Sequence, residues 1–164
     1  MGVFSNINEA HGTEGGLYFG PGNYVVRINR CKMVESHTGA IMFIAETTVI
    51  ESDNETLKKG MEPAYTVKMG GEYPKLALGN VADFMRAALA SMADALGEDR
   101  PEDIADVEVD EAIADAITGE ENLVAGVFMT LKAFNKVTKK TQKDFTRTKW
   151  GVPENLPALL ANAA

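Results

Sequence analysis

A mainly β domain with a helical insertion is what this sequence predicts, and three observations carry the prediction. Five stretches are rich in β-branched and aromatic residues, three before residue 70 and two after residue 122. One long helical periodicity lies between them, with Val81, Phe84, Met85, Ala88, Leu89, Met92 and Leu96 forming a single apolar stripe. Turn-forming clusters of Gly, Pro, Asn and Asp separate the segments.

Residues 1–22 hold seven of the glycines and prolines with little periodicity and read as a flexible arm. YVVRINRCKMVES and AIMFIAETTVIES, joined by a turn at His37, Thr38 and Gly39, predict two long strands paired as a hairpin. MEPAYTVKM predicts a third strand, closed by Gly70 and Gly71. The periodic helix follows, with Asn80 placed to cap its start and Gly97 to terminate it. Val109, Ile113 and Ile117 suggest a short second helix. The last strands are expected in LVAGVFMTLKAFNKV and QKDFTRTKW, followed by a tail over 151–164 that is irregular or a short helix. The expected division is an arm over 1–22, a domain over 23–150 with a helical insertion over 76–120, and the tail. The order β-β-β-α-β-β is that of the OB-fold, a five-stranded Greek-key barrel with its helix between strands three and four.

With 164 residues, 45% of them hydrophobic and 24% charged, the chain matches one domain with an ordinary core. No apolar run approaches the roughly 20 residues that cross a bilayer, and the first residues lack a basic start and an apolar stretch, so a cytoplasmic location is expected. Cys31 is the only cysteine and is joined by just two histidines, His11 and His37, which excludes an internal disulfide and a Cys/His zinc site. No P-loop, nucleophile elbow, H-E-x-x-H or Rossmann glycine pattern is present, so no catalytic residue, metal site or cofactor is assigned.

The net charge of −8 conceals segregation. Residues 98–121 hold eleven carboxylates against Arg100, whereas residues 132–149 hold seven of the sixteen basic side chains against Asp144. Binding depends on charge within about a Debye length, roughly 8 Å at physiological salt, so a local basic surface attracts an anion on an acidic protein.

In the basic stretch, alternation puts Leu123, Val127, Met129, Leu131 and Val137 on a core face and Phe128, Thr130, Lys132, Phe134 and Lys136 on the other. A face mixing lysines with aromatics is not a core face, because burying an unpaired ammonium costs several kcal/mol. Lys143, Phe145, Arg147 and Lys149 share one side of the last strand, and Lys139 and Lys140 lie in the loop that OB-folds use to grip oligonucleotides. Cations follow a phosphate backbone and aromatic faces between them accept unstacked bases, which points to single-stranded nucleic acid. Arg27, Arg30, Lys32, Tyr65 and Lys68 are candidates to extend the groove, and Trp150 serves equally as a barrel cap or a stacking platform. The competing reading of these lysines is a solvated edge hairpin protected against aggregation.

The acidic segment reads as a solvated helix pair or as a surface that recruits a basic partner. Two other functions stay open: a protein-interaction module in which the acidic helices make the contact, and a nuclease whose scattered carboxylates hold a metal.

GNYVVRINRCKMVESHTGAIMFIAETTVIES, the LGNVADFMRAAL helix and AGVFMTLKAFNKVTKKTQKDFTRTKW together resemble bacteriophage-type single-stranded-DNA-binding proteins with an OB-fold, over roughly residues 17–150. The resemblance implies a non-catalytic accessory of viral DNA replication and recombination, in the host cytoplasm. Such a protein coats single strands without sequence preference, through the barrel groove and the loop between its last two strands. Many proteins of this class end in an acidic tail that recruits replication enzymes, whereas here Glu154 is the only charged residue after Trp150. Any recruitment of replication or recombination proteins is therefore expected from residues 98–121.

Overall fold

The computed structural model describes residues 19–35, 37–69, 74–137 and 144–163, without the side chains of 74–76, 135–137, 144–146 and 162–163. It is mainly β. Strands β1 (Gly22–Glu35), β2 (Ile41–Ser52), β3 (Ala64–Met69), β4 (Phe128–Val137) and β5 (Asp144–Gly151) form one antiparallel sheet in the order β3-β2-β1-β4-β5. Helices α1 (Pro74–Leu96) and α2 (Glu111–Thr118) and a 3-10 turn (Ile104–Asp106) come between β3 and β4, and α3 (Leu156–Ala163) ends the chain.

β1 is the central strand of the five, and its Tyr24, Val26, Ile28 and Cys31 all face the core. The step of three from Ile28 to Cys31 comes from a bulge. Ile28 pairs with Thr47 and Arg30 with Glu46, which leaves Asn29 as the extra residue. Asn29 Nδ2 donates to Thr48 Oγ1 at 2.8 Å and so holds the bulge against β2. The inner face continues with Phe43, Ala45, Thr47 and Val49 on β2 and with Met129, Leu131 and Ala133 on β4.

Helix α1 lays Val81, Phe84, Met85, Ala87 and Ala88 against this face. Its small residues let it approach closely, and Ser91 Oγ donates to the Phe128 carbonyl at 2.5 Å. The start differs from expectation: the helix begins at Pro74, and Asn80 lies inside it. Proline suits a first turn, since its missing N–H is one a helix leaves unpaired there anyway. Gly97 ends the helix as expected, with φ +70°. Glu98 N donates to Ala93 O at 2.8 Å and Gly97 N to Asp94 O at 3.2 Å, the Schellman pattern.

The expected strand at LVAGVFMTL begins five residues later, at Phe128, because residues 123–126 turn. Leu123, placed on the core face by alternation, is therefore 42% exposed. The turn is held by Asn122, whose side chain accepts from Cys31 N and donates to Gly119 O. Asn122 adopts φ +43°, a region asparagine tolerates better than most residues. Phe128, expected on the open face, lies under α3 with Val25, Leu156 and Leu159. The tail is thus a short helix packed on the outer face of the sheet.

Of the N-terminal arm, residues 1–18 lie outside the described residues, and Phe19 belongs to the core. The expected closure at Gly70 and Gly71 also lies outside them. The two edge strands meet through side chains: the Tyr65 and Trp150 ring centroids are 5.0 Å apart, and Thr148 Oγ1 is 3.4 Å from Tyr65 Oη. Among the described residues no helix is long and apolar enough to cross a membrane.

Candidate nucleic-acid interface

The register of β4 and β5 brings the sequence-predicted cations together. Lys132 pairs directly with Lys149 and Phe134 with Arg147, and Lys136 follows opposite Phe145. Lys132, Arg147 and Lys149 are exposed, Phe134 is half-buried, and the alternate positions Leu131, Ala133 and Trp150 are buried. The pleat therefore does what alternation predicts: one face of the hairpin goes to the core and the other carries cations. On β1 the neighbour of Lys132 is Asn23, which has no charge to offer it. Among the described residues none of Lys132, Arg147 and Lys149 has an ion-pair partner. The side chains of Lys136 and Phe145, and all of Lys139, Lys140 and Lys143, lie outside the described residues.

A groove of about 540 Å³ runs beside the lysine pair, lined by Asn23, Val25, Thr130 and Gly151 and bounded at one side by Glu51 and Asp53. A Cβ at Gly151 would lie 2.8 Å from Thr130 Oγ1, so a side chain there would need the threonine hydroxyl to shift. Asp53 accepts from Asn23 N at 2.7 Å and from Asn23 Nδ2 at 2.8 Å. These bonds, the side-chain one first, lower the Asp53 pKa, so this end of the groove keeps its negative charge. Alternation places Thr130 on the lysine face, but sequence reasoning missed the groove's Asn23, Glu51 and Asp53. The strand register that assembles them joins residues about a hundred positions apart, and no local pattern carries it.

The remaining predicted residues divide. Arg27 is exposed and pairs with Phe128, which places it on the same face as Lys132. It is four residues along β1 from Asn23, about 13 Å, and helix α3 covers the intervening Val25 and Phe128. Arg30 and Lys68 are exposed on β1 and β3. Lys32 is held by Glu46, with Nζ 2.7 Å from Oε1. Tyr65 is packed inside, its ring stacked on Phe84 at 5.8 Å and edge-on to Trp150, and burial pushes its phenol pKa above 10.0. Trp150 is 7% exposed and meets Phe19, Tyr65 and Phe84 edge-to-face, so of its two expected roles the core one holds. His37 lies in the exposed turn after β1.

Among the described residues no three His, Cys, Asp or Glu side chains are grouped to hold a metal ion. Comparison with known proteins finds no matching family model and no matching curated protein.

Proposed function

We propose that the chain is a non-catalytic single-stranded-DNA-binding protein of phage type that acts in replication and recombination, with an OB-like barrel as its scaffold. The observation that carries this reading is the cross-strand arrangement of Lys132 with Lys149 and of Phe134 with Arg147, in which the three cations are exposed and without ion-pair partners among the described residues. Like charges directly opposite on a sheet are destabilising, and a phosphate between them removes the penalty. The half-buried Phe134 offers a ring at the same level as Arg147. Lys136, Lys139, Lys140 and Lys143 extend the basic run into the loop between the strands. The sheet order β3-β2-β1-β4-β5 and the contact of Tyr65 with Thr148 and Trp150 support a barrel whose seam lies between β3 and β5.

The test is fluorescence anisotropy with labelled oligo-dT and with a duplex of equal length across a salt series. If about five cations meet phosphates, log affinity for the single strand falls with log salt at a slope of about −3.5, from roughly 0.7 per contact. Phe134→Ala weakens binding by about 1 to 3 kcal/mol if the ring stacks on a base. A slope near zero, or no binding at low salt, refutes the proposal.

A further inference from the structure

A second groove, of about 470 Å³, lies where α1 and α2 meet the ends of β1 and β3. Its floor is apolar, built from Met33, Met69, Leu78 and Met85. Leu78 is 60% exposed and Met33 43%, which is unusual for large apolar side chains beside an open cavity. Three methionines give a floor that adapts to differently shaped side chains.

The rim is acidic. Asp110, Glu111 and Asp115 line it, and none has an ion-pair partner among the described residues. Asp110 is committed to capping α2 by accepting from Ile113 N at 2.8 Å. Glu111 and Asp115 are a like-charge pair one helical turn apart, a placement that weakens an isolated helix. The basic rim residue Arg86 is occupied by Asp83, at 3.1 Å. An apolar floor with an uncompensated acidic edge complements an amphipathic helix that carries Lys or Arg beside its apolar anchors.

We propose that this groove docks a basic amphipathic helix of a partner protein, with apolar anchors on Leu78, Met33 and Met69 and basic side chains on Glu111 and Asp115. Met33 and Met69 lie toward the core side of the sheet, with Cys31 and Val67, whereas Lys132 and Lys149 are on the other face. A partner docked here leaves the lysine face open, and the proposal does not depend on what that face binds.

The test uses the full chain and three labelled synthetic peptides: a Leu/Lys amphipathic helix, the same pattern with Glu for Lys, and a Leu/Lys scramble without helical periodicity. The Leu/Lys helix binds and the other two do not. Leu78→Gln, at an exposed position whose fold is checked by circular dichroism, weakens binding about tenfold. Glu111→Gln with Asp115→Asn lowers affinity and flattens its salt dependence. Equal binding of the scramble, wild-type affinity in both variants, or no binding at low salt overturns the proposal. A dimer seen by sedimentation that Leu78→Gln dissolves also overturns it, because the groove then belongs to a second copy of the chain.

Discussion

Replacing Lys132 and Lys149 together by glutamine separates a binding role from a structural one, because the two roles predict opposite signs. The residues are directly opposite on β4 and β5. Their Cβ atoms are then about 5 Å apart and their ammonium groups about 7 Å. Two unit charges at that distance repel by about 0.6 kcal/mol in water, and by about 0.2 to 0.3 kcal/mol after screening. Glutamine keeps the length and the apolar stem and removes the charge. The fold should therefore hold its stability or gain a few tenths of a kcal/mol, read as an unchanged or slightly raised urea midpoint. Binding moves the other way. Losing two phosphate contacts reduces the salt slope by about 1.4, so the ratio of wild-type to variant affinity shrinks about sevenfold between about 50 and 200 mM salt. Anisotropy with oligo-dT reads the slope and urea unfolding reads the stability. An unchanged slope refutes the phosphate role, and a stability loss above about 0.5 kcal/mol shows the pair to be structural.

Asn122→Gly keeps the positive φ but leaves the buried Cys31 N–H without its acceptor, so it costs about 1 to 3 kcal/mol in chemical unfolding; no loss would show that Asn122 does not tie the insertion to β1. Gly97→Ala costs about 1 kcal/mol from φ alone, since a Cβ there meets nothing within 4 Å, and a neutral result would remove the Schellman cap as a determinant of the helix end. Burial pushes the Cys31 thiol from 9.0 up to about 12, with Glu46 adding to the effect. The unfolded chain then holds fewer protons than the folded one above pH 9, so stability falls as pH rises, by about 1 kcal/mol between pH 9 and 10. Tyr24 and Tyr65, both raised above 10.0, add to the decline from the upper part of that window onward, so the contribution of Cys31 is read as the difference from its alanine variant. Cys31→Ala flattens the decline, and an identical pH profile in the variant would assign it to other groups.

The parts that could be read from sequence are those whose signal is local. Alternation at Leu131, Lys132, Ala133 and Phe134 identifies the two faces of β4, and the stripe from Val81 to Met92 identifies α1, because each pattern repeats within one element. Where a second element intervenes, the pattern misleads. Phe128 alternates with the open face and is buried only because α3 returns from the end of the chain to cover it. Leu123 continues the strand's hydrophobicity and is exposed because Asn122 turns the chain before the strand begins. From sequence Trp150 is equally fit for stacking on a base or packing in a core, and Tyr65 is a groove candidate whose aromatic side chain also suits a core. Their mutual contact settles it, and that contact joins β3 to β5 across the whole insertion.

By itself the sequence determined the mainly β class, the position of the long helix and the separation of positive from negative charge, since composition and short-range period set all three. Only the tertiary structure decided that Lys132 faces Lys149, that Glu51 and Asp53 bound the groove beside them, and that α3 separates Arg27 from the hairpin cations. Register is a relation between distant strands, fixed by the total packing of the core, and a one-residue slip would move every side chain to the other face.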